Sequence, residues 1–230
     1  DIDFSCHKGQ KIAVIGSTGS GKSTLVKLMN RFYDVSRGMI EINGVDIRKY
    51  DLESLRAQIG YVAQKAHMFK GSIQSNICFG KPDASDEEMV HAATVAQASD
   101  FISKREHGYL DEIAEDGTNI SGGQKQRLSI ARVILKKPSL YIYDDSFSAL
   151  DFKTDATLRK ALKPEGKDAI FFVVAQRIST IMDSDMIIVL DEGQIIGMGT
   201  HTQLLKDCRV YQEIAHSQLT QKELDDYERN

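Results

Sequence analysis

Cysteine is scarce, long apolar runs are missing and positive charge is in no excess, and each shortage removes a class of protein. The 230 residues hold only Cys6, Cys78 and Cys208. An odd, widely scattered set argues against a disulfide framework or a zinc site and fits three inert, reduced thiols in a cytosolic compartment. The longest apolar stretches, such as Ala169-Ile-Phe-Phe-Val-Val-Ala175, fall far short of the roughly 20 residues a membrane-spanning helix needs, so no segment is expected to cross a bilayer. Formal net charge is −4 with both signs interspersed, which leaves no basic field for DNA or RNA. Internal repeats and low-complexity segments are absent too. Neither an initiator Met nor a signal segment precedes Asp1, so a piece of a longer polypeptide is the expectation. What remains is 41% apolar, with chain enough for one large domain or a core with an appended lobe.

Within that frame one stretch stands out. Gly16, Ser17, Thr18, Gly19, Ser20, Gly21, Lys22, Ser23 and Thr24 fit the phosphate-binding pattern G-x-x-x-x-G-K-[ST]. Ahead of it Lys11-Ile-Ala-Val-Ile15 is almost wholly apolar, as in a strand buried on both faces of a parallel sheet. Behind it Leu25, Leu28 and Met29 recur at helical spacing, so the loop runs into a helix whose N-terminus faces the anion. The glycines let N–H groups close around a β-phosphate, Lys22 neutralises β/γ charge, and the Ser23 hydroxyl can ligate Mg²⁺. The stretch reads as a nucleoside triphosphate site.

Taken in order, residues 1–8 read as an incoming strand and turn. Met39-Ile-Glu-Ile-Asn-Gly44 alternates and ends in a hairpin signal, which predicts a small antiparallel piece. Residues 52–58 read as helix, and Ile59-Gly-Tyr-Val-Ala63 as a strand stopping at Gln64. From 69 to 137 no strand is expected. Ser85-Asp-Glu-Glu88 is a capping box in front of an alanine-rich helical run, and more helix follows to about Lys104. The sheet resumes at Leu140-Tyr-Ile-Tyr143, which leads into Asp144-Asp145, and at 169–175, which leads into Gln176. Ligands of open α/β sheets bind outside the carboxyl ends of the strands, so Gly16, Asp144, Asp145 and Gln176 should meet on one edge. Further strands at 186–190 and 194–196 and helix to about Leu219 complete the pattern, and the polar end from Gln221 to Asn230 reads as frayed. Asp144, at the end of a buried strand, suits the carboxylate that Mg²⁺ requires. A second helix starts at Ile120-Ser-Gly-Gly-Gln124, carried by Leu128, Ala131, Ile134 and Leu135 until Pro138, and could hold another phosphate.

These motifs together resemble the nucleotide-binding domain of an ATP-binding cassette (ABC) transporter over nearly the whole chain. Residues 16–24 match Walker A, Tyr61-Val-Ala-Gln64 the Q-loop, 120–124 the signature, 140–144 Walker B and Ser148-Ala-Leu-Asp151 the D-loop. Asn30-Arg-Phe-Tyr33, Phe69-Lys-Gly-Ser-Ile73, Asn76-Ile-Cys-Phe-Gly80 and Glu115-Asp-Gly117 are similar to the exporter branch. The resemblance implies an α/β fold: a P-loop NTPase parallel-sheet core (1–69 and 138–230), a small antiparallel β subdomain, and an inserted α-helical subdomain (70–137) bearing the signature. It implies ATP and Mg²⁺ as ligands, with Ser23, Gln64 and Asp144 on the metal. It also implies a second nucleotide-binding domain closing head to tail, so that Ser121, Gly122, Gly123 and Gln124 serve the partner's ATP and Asp151 lies across the seam. Transmembrane domains, fused N-terminally, would place the chain at the cytoplasmic face of the cell membrane. The aromatic residue on which the family stacks adenine lies upstream of Asp1.

Two positions depart from that pattern, both concerning hydrolysis. Where the family has Glu after the Walker B Asp, this chain has Asp145; where it has the switch His, in a run like Val173-Val-Ala-Gln-Arg-Ile-Ser-Thr180, this chain has Gln176. A water-orienting carboxylate one methylene short costs on the order of 10²-fold in rate, and an amide carries no proton. The expectation is a site that binds ATP and hydrolyses it poorly, in a heterodimer whose unlike partner supplies the intact Glu and His and a defective signature. A homodimeric exporter with slow sites and a non-transport ABC ATPase are the alternatives. Against the latter, the roughly 100 residues between Gly21 and the signature hold no sustained heptads. A small-molecule kinase would share the phosphate loop but has no use for the signature.

Overall fold

A computed structural model describes residues 2–219. Its strands are β1 (Lys11–Ile15), β2 (Glu41–Ile42), β3 (Val45–Asp46), β4 (Ile59–Val62), β5 (Gly71–Ser72), β6 (Glu112–Ile113), β7 (Leu140–Asp144), β8 (Ile170–Val174), β9 (Met186–Asp191) and β10 (Gln194–Gly199). The main sheet runs β10-β9-β1-β8-β7-β4, parallel except for β10 at one edge. Side chains alternate along a strand, so β1 sends Ile12 and Val14 into one layer and Ala13 and Ile15 into the other. Both layers are buried, which is why the strand reads as an unbroken apolar run.

Against the Ile12/Val14 face pack α1 (Lys22–Met29) and α2 (Leu52–Gln58), with the β2–β3 hairpin turning at Asn43 and Gly44, both at positive φ. The other face carries α3 (Ile73–Cys78), α4 (Asp86–Val95), α5 (Ser99–Ile102) and α6 (Gly122–Lys136) at one end, and α7 (Phe152–Leu162), α8 (Ile178–Ile181), α9 (His201–Asp207) and α10 (Arg209–Gln218) along the rest. Asp51, Ser85, Ser121, Asp151 and Thr200 each cap a helix through a side-chain oxygen, as Ser, Thr and Asp do best. His201 is buried and hydrogen-bonded through Nδ1 to Tyr211 Oη (2.7 Å), joining α9 to α10. No cysteine is in a disulfide, and burial pushes the Cys6 and Cys78 thiols up, away from the reactive thiolate.

The mixed α/β architecture expected from the sequence is found, with two local corrections. Residues 2–8 form no strand: Phe4 stacks on Phe172 from above the sheet (centroids 6.1 Å apart), because β1 and β8 already have neighbours on both sides. The middle third is not free of strands, since β5 and β6 pair antiparallel, Gly71 opposite Ile113 and Ser72 opposite Glu112. The helical run expected after Ser85, with more helix to about Lys104, is α4 followed by α5; they are separated at Gln97 (φ 58), whose carbonyl is taken by the Arg127 guanidinium at 2.7 Å. The segment 221–230 lies outside the described residues. Among those described, no helix is long and apolar enough to cross a membrane.

Candidate functional site

Close approach shapes the loop after β1. A Cβ on Gly16 would collide with the Leu190 carbonyl oxygen, and Gly21 sits at φ 103, where only glycine is free of steric cost. At Gly21 α1 begins with no side-chain cap and no acidic residue in its first turn, so its leading N–H groups are left for an anion. Ser17, Thr18, Gly19, Ser23 and Thr24 are exposed, whereas Ser20 is buried. Lys22 folds back over the loop, Nζ donating to the carbonyls of Gly16 (2.8 Å) and Ser17 (2.7 Å) and to Ser20 Oγ (3.3 Å). Burial pulls its pKa down, opposed by the carboxylates of Asp145 and Asp144. An ammonium held by carbonyls of the same loop is poised to exchange them for phosphate oxygens.

β7 delivers Asp144 to the same edge. Its Oδ2 accepts from Tyr61 Oη (3.2 Å), and burial raises its pKa while Tyr61, Lys27 and Lys22 pull the other way. Burial and the same carboxylate push Tyr61 up to about 12. Among the described residues no group of three or more His, Cys, Asp or Glu gathers as a metal cage. Mg²⁺ beside phosphates takes most of its oxygens from phosphate and water and only one or two from protein. Asp144 and the exposed Ser23 hydroxyl are a donor set of that kind.

Asp145 differs from its neighbour. The backbone turns left-handed there (φ 48), which Asp tolerates better than most residues. Its N–H donates to the Val174 carbonyl (2.9 Å), and its own carbonyl accepts from Ser148 Oγ (2.7 Å). The carboxylate sits between two loops, Oδ2 accepting from Gln176 Nε2 at 2.7 Å and from Gln64 Nε2 at 3.1 Å. Burial raises its pKa, and Asp144 adds to this against the amide donors. Gln64 is tied in turn to the helical side of the molecule: the neighbouring Ala63 carbonyl accepts from the buried Gln126 of α6 (3.1 Å).

Lys22, Gln64, Asp144, Asp145 and Gln176 therefore stand together at the strand ends. The signature residues stand elsewhere. Ser121 caps α6 in a reciprocal box: Ser121 Oγ accepts from the Gln124 N–H (3.3 Å) and Gln124 Oε1 from the Ser121 N–H (3.0 Å). That leaves the N–H groups of Gly122 and Gly123 uncapped. Gly123 lies beside the Ala149 carbonyl, next to Asp151, which caps α7 through Thr154 (2.9 Å to N, 2.7 Å to Oγ1). Among the described residues no hydrogen bond joins 121–124 to 16–24.

Sequence reasoning missed Tyr61 as the partner of Asp144, Gln126 as the tie to the Q-loop, and Arg177 and Gln218 around the switch position. Tyr61 had a signal, since it stands on β4 opposite Ile142, two residues before Asp144 in β7. The others had none.

The profile of the ABC transporter family matches residues 1–148. The chain is 44% identical over 221 residues to an uncharacterized ABC transporter ATP-binding protein of Mycobacterium tuberculosis, covering 95% of this chain and 38% of that one. A Bacillus subtilis protein whose name proposes multidrug export, as a joint ATP-binding/permease protein, is 46% identical over 89% of this chain and 35% of its own length. Among solved structures, a bacterial Atm1-family ABC exporter with ATP bound superposes with a TM-score of 0.89 at 39% identity, covering 91% of this chain and 37% of that one. The chain thus spans little more than a third of each protein it matches.

Proposed function

The chain belongs to the ABC transporter family as its ATP-binding domain, and on that footing we propose that it drives an exporter while its own site binds ATP and hydrolyses it poorly. Residues 16–24 enclose the phosphates, Lys22 turning from the Gly16 and Ser17 carbonyls to the β/γ oxygens. Ser23 and Asp144 hold Mg²⁺, with Gln64 reaching the same region and Tyr61 orienting Asp144. When bound, the cation neutralises phosphate charge. The signature 121–124 and Asp151 face a second nucleotide-binding domain, most economically an unlike chain with intact Glu and His. The core (1–69, 138–230) and the signature-bearing helical part (70–137) act as two bodies, with transmembrane domains N-terminal to Asp1 and the whole at the cytoplasmic membrane face. Relatives named for export and joined to permease parts support that reading.

One observation carries the hydrolysis claim: Asp145 Oδ2 already accepts two amide N–H groups, from Gln176 and Gln64. Its raised pKa alone would favour a general base. A carboxylate one methylene short and engaged on one oxygen is nonetheless poorly placed to orient water, and Gln176 can neither take nor carry a proton. The test compares Mg²⁺-ATP binding and turnover of the wild type with Asp145→Glu plus Gln176→His. Wild type should bind ATP and barely turn it over, and the double variant should gain on the order of 10²-fold, about 2.7 kcal/mol of barrier. Each single change should yield less than its share, because Asp145 and Gln176 are fitted to each other. Cooperative hydrolysis by wild type alone defeats the claim and leaves a homodimeric exporter.

A further inference from the structure

The main sheet stops supporting the chain just before the switch position. The Ala175 N–H donates to the Val14 carbonyl (3.2 Å), and the backbone beyond it leaves the ladder. Two residues after Gln176, α8 starts at Ile178 behind Arg177, which provides no side-chain cap. The Gln176 carbonyl and the Ile178 N–H therefore have no backbone partner from strand or cap, and unsatisfied groups of this kind destabilise a turn. Both are taken by one side chain from far along the chain: Gln218 Nε2 donates to the Gln176 carbonyl (2.8 Å), and Gln218 Oε1 accepts from the Ile178 N–H (2.9 Å).

We infer that Gln218 is a positioning residue that sets where the switch residue Gln176 sits relative to Asp145, making the C-terminal helix α10 the mount of the switch loop. The primary amide imitates a backbone peptide, giving one donor and one acceptor to the groups that flank Arg177. Gln218 is the last residue of α10, a helix seated by its buried Tyr211 and Ala215. On the opposite side of the turn Arg177 lies over the Phe152 ring (4.9 Å) and donates to the carbonyls of Ser148 (3.2 Å) and Leu150 (3.4 Å), just ahead of Asp151. The turn is thus held from two sides, by α10 and by the D-loop. The Gln176 side chain then reaches Asp145 at 2.7 Å. Movement of the turn by about 1 Å breaks that contact and misplaces residue 176 toward a γ-phosphate, a displacement worth up to roughly 10²-fold in rate.

This inference rests on the proposed reading of position 176, and its test separates the two. In the intact transporter, Gln218→Met keeps length and packing but loses both bonds, and Gln218→Glu keeps only the acceptor for Ile178. Hydrogen exchange of the segment 175–180 is followed with and without Mg²⁺-ATP. Gln218→Met should speed exchange at Ile178 at least tenfold, remove ATP-dependent protection of the segment and leave 170–174 unchanged; Gln218→Glu should retain part of the Ile178 protection. In the Asp145→Glu plus Gln176→His background, Gln218→Met should lower about tenfold the kcat that this pair adds over wild type, with KM for ATP within twofold. Wild-type exchange in Gln218→Met, or faster exchange with kcat unchanged, overturns the positioning role. A double variant that gains no turnover defeats the hydrolysis reading alone, since ATP-dependent protection still decides Gln218.

Discussion

Two helix N-termini in this molecule are built in opposite ways. α1 starts bare: Gly21 is left-handed and, among the described residues, no side chain caps the helix. α6 starts sealed: Ser121 and Gln124 take each other's N–H groups, and only those of Gly122 and Gly123 stay open. A bare N-terminus is completed by its ligand, and the cost of leaving it empty is returned on binding. A sealed one is stable by itself and offers what remains to another body. The contrast suits a chain whose own nucleotide sits on α1 and whose α6 covers a nucleotide held by a partner.

The largest effect that tests this contrast is expected at the bare end. Lys22→Ala removes the cation that replaces its carbonyl contacts with phosphate, and ATP affinity should fall about a hundredfold, by about 2.7 kcal/mol. Equilibrium binding of labelled ATP measures it. An affinity within threefold of wild type would show that the bare helix start and the glycines suffice.

A smaller effect is expected at the sealed end. Ser121→Ala should cost about 1 kcal/mol of stability, seen in denaturant melts, because α6 loses its cap. ATP affinity at the chain's own site should stay within twofold, while hydrolysis completed across the partner interface falls. A loss of own-site affinity equal to that of Lys22→Ala would erase the distinction between the two ends.

The smallest and most diagnostic effect is on pH. Asp144 is raised by burial from its ordinary value of 3.8, so as pH falls it is protonated before an exposed Asp, and Mg²⁺-ATP affinity should decline above that value. The sign for folding is opposite. A carboxyl whose folded pKa is raised contributes stability that is full below its unfolded pKa and lost as pH rises through the folded one. Mild acid should thus weaken binding without this group weakening the fold. Tyr61→Phe removes the hydrogen bond that favours the charged form, and should shift the decline to still higher pH with at most severalfold loss at neutral pH. The Ser121–Gln124 box has no titrating group and should show no such profile. An unchanged pH profile in Tyr61→Phe would remove Tyr61 from the site.

Much of the site was legible because its chemistry is local. Gly16, Gly21 and Lys22 announce a phosphate loop by spacing, and Asp144 and Gln176 follow apolar runs that end where strands end. Ser85–Glu88 is a capping box in four consecutive letters and it forms, and the helix start read at Ser121–Gln124 is found too, closed by a box of its own. Tyr61 was half legible, visible once β4 is registered against β7. Gln218 and Arg177 were not legible, because a polar residue at a helix end or before a short helix has a solvated surface as its ordinary place. The β5–β6 pair was illegible for a related reason, since two-residue strands far apart in sequence show no period.

By itself the sequence determined the class of fold, the glycine-rich loop between a buried strand and a helix, and the polar residues, Asp145 and Gln176 among them, that follow the apolar strands. Each depends on residue type at short spacing, where steric limits and the two backbone periods leave few choices. Only the tertiary structure decided that Gln176 and Gln64 share one oxygen of Asp145, that Tyr61 orients Asp144, and that α10 holds the switch turn through Gln218. Those bonds join residues from separate elements, and which donor meets which acceptor is set by the packing of layers once the buried polar groups must all be satisfied.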